Sequence, residues 1–395
     1  MTLSQPAVSE PSPVRMVDLF AGPGGLDVAA HWLGISVIGI EWDEDACATR
    51  LDAGLETVQK DVRRRSPGYF RDASMLAGGP PCQTYTVAGT GSGRKALDQV
   101  LHFVRRMGDG EKITEDVERL DDVRTGLVLE PLRWALAADR RGYPYSTIVL
   151  EQVPAVLPVW KEIARVLESI GYHTATGLLH AEEFGVPQTR RRAILLAARD
   201  HPVELPRPTH RRYRKGIGQR EGDPTLLPWK SMGETLPDRG PFEVVSNYGT
   251  GGNPQLRGRR KFDEPAATVT GKVSRNRLIV PADSNHLVSA DPDNELERFS
   301  LTEAGLLQTF PIDYPWSGRN VAQQIGNAIP PRLAAHVLAA ALGGELEDPF
   351  LDEVVVGKWA ETREGAPLAR GFRKVSRCTS DGDLAGDQCT DLATV

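Results

Sequence analysis

Between Val14 and Asp61 short apolar runs alternate with helix-length stretches, and this rhythm restricts the fold more than any other feature of the chain. Val14 to Phe20 reads as a strand that breaks into Ala21-Gly22-Pro23-Gly24-Gly25, and Leu26 to Leu33 then reads as a helix stopped by Gly34. Ser36 to Ile40 is a second apolar strand, ending at Glu41-Trp42-Asp43. Asp45 to Leu55 is helical, and Thr57 to Lys60 is a short strand ending at Asp61. Ser146 to Leu150, followed by the amphipathic stretch Val156 to Ile170 and Gly171, repeats the unit. Strands alternating with helices of this length predict an α/β fold with a mostly parallel, doubly wound sheet. Such sheets collect their ligands at the carboxyl ends of the strands.

The rhythm does not run to the end. From His201 to Gly258 proline, glycine and arginine dominate, so a second, smaller domain is expected over 201–317. A first catalytic part is expected over 14–200, with a return over 318–344 through a helix from Pro331 to Leu342. Residues 345–395 turn acidic, then small and polar, and read as a disordered tail. Residues from about 92 to 124 read as a long charged loop. Net charge is −6, yet Val186 to Val280 holds 19 Lys and Arg against 9 Asp and Glu. That segment is either a solvated face or a phosphate-tracking surface. No apolar run is long enough to cross a bilayer, and the N-terminus lacks a basic-then-apolar export signal. Cys47, Cys82, Cys378 and Cys389 lack metal-ligand spacing, so no metal site or disulfide framework is expected and a reducing cytoplasm fits.

Gly22-Pro23-Gly24-Gly25 between a strand and a helix lets the backbone approach a ligand closely. Glu41, at the end of the next strand, can accept from both hydroxyls of a ribose. Trp42 offers a flat face to adenine, and Asp61 an acceptor to its exocyclic amine. The glycine spacing is not Gly-x-Gly-x-x-Gly, and no arginine is placed for a diphosphate. An adenosine without a diphosphate favours S-adenosylmethionine over NAD.

A second turn carries the reactive group. Ala73-Ser74-Met75-Leu76-Ala77 is an apolar strand that breaks into Gly78-Gly79-Pro80-Pro81, which presents Cys82 and Gln83 at a strand end. A cysteine there is a candidate nucleophile, because sulfur attacks as thiolate without a metal.

These residues together resemble the DNA cytosine-5 methyltransferase family, in its bacterial form. The likeness rests on blocks in the family's order: Asp18-Leu19-Phe20-Ala21-Gly22-Pro23-Gly24-Gly25, Pro80-Pro81-Cys82-Gln83, Glu151-Gln152-Val153, Gln188-Thr189-Arg190-Arg191-Arg192, and Gln324-Ile325-Gly326-Asn327-Ala328-Ile329-Pro330-Pro331. Asp263 to Thr270 is similar to the block that follows the family's recognition region. The resemblance implies a Rossmann-like S-adenosylmethionine-dependent sheet, with the smaller domain recognising the target. It implies that Cys82 adds to C6 of a cytosine extruded from duplex DNA, so that C5 can take the methyl group of S-adenosylmethionine. Glu151, in apolar surroundings, would hold N3 through a proton, with Arg190 and Arg192 orienting it from one side of a strand and Gln188 bracing their loop. Phe20, Gly22, Gly24, Gly25, Leu26, Glu41, Trp42, Asp61, Val62, Pro80, Asn327 and Ala328 are the implied donor-binding residues. Gln83, Arg94, Lys95, Gln188, Arg257 and Arg259 are the implied DNA contacts, Arg94 and Lys95 on a closing loop from Ala88 to Lys95.

Two blocks depart from the family. Thr84-Tyr85-Thr86 stands where Pro-Phe-Ser is usual, and Gln152 where asparagine is usual. The expected actor is a monomer in the cytoplasm, beside the nucleoid, paired with a cognate restriction endonuclease. A tRNA methyltransferase and a catalytically silent DNA-binding regulator of the same fold are the alternatives.

Overall fold

A computed structural model of the chain describes residues 15–81, 91–120, 122–247, 253, 256–279, 298–364 and 371–375. β1 (Arg15–Leu19) leads through the glycine turn into α1 (Gly25–Trp32), and β2 (Ser36–Glu41), α2 (Glu44–Asp52), β3 (Thr57–Gln59) and β4 (Met75–Gly78) follow. α3 (Gly91–Gly108), α4 (Thr114–Glu118) and α5 (Glu130–Asp139) precede β5 (Thr147–Gln152), α6 (Leu157–Ser169), β6 (His173–His180) and β7 (Arg191–Ala198). The seven strands lie in the order β3-β2-β1-β4-β5-β7-β6. β7 runs antiparallel to both β5 and β6, and the other neighbours are parallel.

The chain then leaves the sheet. α7 (Met232–Thr235) precedes the three-residue strands β8 (Glu243–Val245), β9 (Arg259–Lys261) and β10 (Arg277–Ile279), which form a separate sheet in the order β10-β8-β9. α8 (Leu301–Leu307), α9 (Val321–Asn327) and α10 (Pro331–Ala341) return to the large sheet. β11 (Gly344–Leu346), α11 (Asp348–Val356), α12 (Trp359–Glu364) and β12 (Phe372–Lys374) complete the described elements.

Alternation along the buried strands explains the two cores. Val17, Leu19, Ile38, Ile40, Leu76, Ile148 and Leu150 pack with side chains of α3, α5 and α6. Their neighbours Met16, Met75, Ala77 and Val149 point the other way, against α1 and α10. A strand covered on both faces must be apolar at nearly every position, which is why these runs lack polar alternation. The α/β expectation holds, and the small sheet packs on its own cluster around Met232, Phe242 and Leu278.

Two expectations are corrected. The segment expected as a charged loop contains α3, whose Val100, Phe103, Val104 and Met107 recur at helical spacing and are buried. Gly91 to Lys95 therefore begin a helix, and the proposed closing loop does not extend through them. Nor does disorder begin at residue 345. Phe350, Leu351, Val354 and Trp359 are buried in the same core as Trp32 and Leu333. Trp359 also donates from its indole nitrogen to Ala53 O at 3.0 Å, and Arg332 is ion-paired with Asp348 at 2.7 Å and Asp352 at 2.6 Å. Acidic composition hid an apolar stripe.

The sheet order also fixes where a ligand can sit. From β1 the chain moves through β2 to β3 on one side, and β4 and β5 lie on the other. The turn after β1 and the turn after β4 diverge at that switch point and open a crevice between them.

Candidate active site

That crevice is a cavity of about 810 Å³, within the range of ligand pockets (roughly 300–1,000 Å³). Phe20, Gly22, Gly25, Leu26, Glu41, Trp42, Asp61, Val62, Asn327 and Ala328, all expected at the donor site, line it. Glu151, Arg190 and Arg192 line it too, so donor-binding and reacting groups share one space. Pro81 lies on its wall immediately before Cys82. Cys82 and Gln83 themselves lie outside the described residues, as do the side chains of Arg94 and Lys95.

Backbone groups hold Glu41 in place. Its Oε2 accepts from Gly22 N at 2.8 Å, and its Oε1 from Trp42 N at 2.7 Å and Asp43 N at 2.8 Å. A carboxylate offers about four lone-pair sites, so acceptor capacity remains for a ribose hydroxyl. Gly22 adopts φ 55°, and a Cβ there would meet nothing within 4 Å among the described residues, leaving space for a ligand along the turn. Trp42 is 68 % exposed, an unusual state for an indole unless something else covers it.

Asp18 was overlooked as a site residue. It lines the cavity at 1 % exposure, and neither carboxyl oxygen has a hydrogen-bond partner among the described residues. Burial pushes its carboxyl well above the usual range; Asp27, Glu41 and Glu151 add to this, and Arg50 opposes it. An orphaned buried acid on a pocket wall suits a cationic ligand, and S-adenosylmethionine carries both a sulfonium and an ammonium group. Asp18, Glu41 and Trp42 together fit that donor. The available signal was an acid inside an otherwise apolar strand.

Asp61 departs from expectation. Arg63 holds it through a 2.6 Å ion pair and through the backbone N–H at 2.9 Å. Desolvation works against the charge, but these bonds outweigh it and keep the carboxyl below its usual range. Gly24 and Pro80 do not line the cavity. Gly24 caps α1 at φ 106°, with Leu55 and Tyr314 where a side chain would be, and Pro80 O accepts from Gln152 Nε2. Gln152 thereby ties the turn after β4 to the end of β5.

At the reacting end, Glu151 is 6 % exposed and ion-paired through Oε1 with Arg192 Nε. A Cβ on Gly79 would lie 3.4 Å from Glu151 Oε2, so the glycine lets the cysteine-bearing turn pass close to the acid. The two arginines do not act alike. Arg190 precedes β7, is 1 % exposed, and donates to Val269 O at 3.0 Å, Gly326 O at 2.9 Å and Ala328 O at 2.8 Å. Burial lowers its pKa well below the usual value, the like charge of Arg192 adds to this, and Glu151 opposes it. These bonds fasten three chain segments rather than orient the acid.

Gln188 is fully buried and cannot reach DNA. Its Nε2 donates to Leu307 O at 2.7 Å and Gln308 Oε1 at 2.8 Å, while its Oε1 accepts from Val269 N at 3.0 Å. It braces the loop. Arg257 and Arg259 lie beside and on the small sheet, away from the cavity wall, and Arg259 is ion-paired with Glu243 at 2.5 Å. Among the described residues no cluster of His, Cys, Asp or Glu could hold a metal, and no helix is long and apolar enough to cross a membrane.

The family model of C-5 cytosine-specific DNA methylases matches residues 14–105 and 146–342. Type II methyltransferase M.MthTI of Methanothermobacter thermautotrophicus is 25% identical over 372 residues, 84% of this chain and 98% of that protein. Type II methyltransferase M1.HphI of Haemophilus parahaemolyticus is 24% identical over 359 residues, covering 82% and 86%. Among solved structures, S. pombe Dnmt2 methyltransferase aligns with TM-score 0.51 at 16% identity, over 83% of this chain and 98% of that one. The Entamoeba histolytica methyltransferase EhMeth aligns with TM-score 0.54 at 15% identity, over 84% and 98%. Both share the fold.

Proposed function

The chain belongs to the C-5 cytosine-specific DNA methylase family, and from that premise we propose that it methylates a cytosine swung out of duplex DNA after Cys82 adds to the ring. The reaction is methyl transfer to C5 of cytosine in DNA, with S-adenosylmethionine as donor. Bound in the crevice, that donor supplies an electrophilic methyl group. Glu41 would hold the ribose, Trp42 would cover the adenine, and Asp18 would face the cationic end.

C5 of cytosine is a weak nucleophile. The Cys82 thiolate bonds to C6, the C5–C6 electron pair moves toward C5, and N3 takes a proton from Glu151. The ring carbon C5 can then bond to the donor's methyl carbon as the sulfonium S–CH3 bond breaks, its electron pair staying on sulfur and the demethylated donor leaving as a neutral thioether. Loss of the C5 proton to solvent and rupture of the C6–S bond, which returns its electron pair to Cys82 as thiolate, restore aromaticity, and the N3 proton returns to Glu151. Arg192 holds the acid throughout, and Arg190 ties the segments at 269 and 326–328 to the start of β7. A carbon stacked within a duplex cannot enter a cavity of this kind, so extrusion of the base precedes the chemistry.

One observation carries the reading: Glu151 with Arg192, Glu41 with Trp42, and Pro81 next to Cys82 share the walls of one cavity. Duplex DNA containing 5-fluorocytosine tests it, because fluorine cannot leave C5 as a proton does. A denaturation-stable adduct is expected with the wild type and none with Cys82→Ser. Label transferred only to tRNA would move the substrate to RNA. Equal bisulfite conversion patterns from wild type and Cys82→Ser would instead leave a DNA-binding regulator. The Type II relatives further support pairing with a cognate endonuclease, which resistance of modified plasmid to that nuclease would check.

A further inference from the structure

A second cavity, of about 630 Å³, adjoins the donor pocket at Asp61 and Arg63. All its lining residues except Asp61, Arg63 and Arg64 come from residues 106–145, the stretch between the two parts matched by the family model. Most of its lining therefore lies outside the part of the chain that the family model matches. Its floor is apolar: Met107, Ile113, Leu129 and Leu136 are all buried. Its charges do not balance. Asp61 is paired with Arg63, Glu130 with Arg133, and Glu111 with Arg106. Glu118 remains against Arg64, Lys112 and Arg140, three exposed cations with no ion pair among the described residues.

We propose that this cavity binds an amphipathic organic anion of about nucleotide size, apolar body on the floor and anionic group at the Arg64–Lys112–Arg140 rim, and that its occupancy is coupled to the donor pocket. The coupling follows from shared walls, since Asp61 and Arg63 line both cavities. An anion beside Arg63 competes with Asp61 for its guanidinium. Asp61 is then released toward the adenine end of the donor, which should bind more tightly.

The probe is 8-anilinonaphthalene-1-sulfonate, titrated by fluorescence into the full chain. N-phenyl-1-naphthylamine, which lacks the sulfonate, is the neutral control. Saturable one-to-one binding is expected, weakened about tenfold by Lys112→Glu with Arg140→Glu and by about as much in the neutral control. Equal affinity for both probes, or no effect of the two substitutions, would overturn the site. Saturating S-adenosylmethionine should shift probe affinity to a limiting value about fivefold tighter. Unlimited displacement would mean that the probe merely occupies the donor pocket, and an unchanged affinity would remove the coupling. Donor binding by the double variant, measured by calorimetry, shows that it has folded. None of these readouts needs methyl transfer, so their failure is separable from that of the covalent mechanism.

Discussion

At the edge of the large sheet, Glu41 and Glu151 sit at the ends of β2 and β5, where long strand ladders leave little freedom. Glu151 is in register with Ile194 and Gln152 with Ala193, which sets Arg192 beside the acid. The small domain works differently. Its strands are three residues long, and much of its order comes from side chains: capping boxes at Ser231–Glu234 and Ser300–Glu303, an Arg239–Glu303 ion pair, and Phe242 packed against Phe262 and Phe299. Chemistry common to every cytosine needs fixed geometry. The recognition role expected of the small domain would suit short strands and loops, which tolerate change.

The largest effect should fall on the sheet edge. Glu151→Gln keeps the shape but cannot pass a proton to N3, and single-turnover methylation should fall by about 10²–10⁴-fold. Donor affinity, read by calorimetry, should change little. A variant that lost donor binding and turnover together would instead make Glu151 a structural residue.

Arg190→Met separates stapling from catalysis. Three carbonyls inside the protein lose a charged donor, and chemical denaturation should show a loss of about 3 kcal/mol or more. Arg192→Met should act chiefly on turnover. If Arg190→Met left stability unchanged while abolishing turnover, Arg190 would belong with Arg192 at the acid.

Asp18→Asn gives a smaller effect whose sign depends on pH. Burial holds this carboxyl well above its ordinary value of 3.8. The stability it contributes is complete below that ordinary value and is lost as pH rises through the raised one. The substitution should therefore raise the melting temperature at pH 8 and change it little at pH 4. It should also weaken donor binding at pH 8, because a cationic ligand loses its acid. An equal thermal shift at both pH values would show that Asp18 does not titrate in this way.

Local pattern accounts for what was readable from residues alone. β1 and β2 and the glycine turn between β1 and α1 announce themselves because burial on both faces demands apolar runs, and Glu41 and Glu151 follow from strand ends. Long-range contacts were not readable. Arg190 and Arg192 look equivalent by alternation, but carbonyls from residues 269, 326 and 328, far away in sequence, claim Arg190. Glycines at 91 and 93 masked the apolar spacing of α3, and acids masked that of α11. The hold of Arg63 on Asp61 could have been suspected from their spacing, but its consequence for two cavities could not.

The small domain should give the mildest response. Arg259 is about half exposed and already shares its charge with Glu243 on the neighbouring strand. An exposed ion pair of this kind contributes little to stability, so Arg259→Ala should leave the melting temperature nearly unchanged. If its guanidinium meets a phosphate, that contact releases about one counterion, and the slope of log affinity against log salt should become shallower by about one unit. Single-turnover rate at saturating DNA should stay as in the wild type, because no group on the cavity wall has moved. A fall in that rate with an unchanged salt slope would tie β9 to the chemistry and remove the distinction between the two regions.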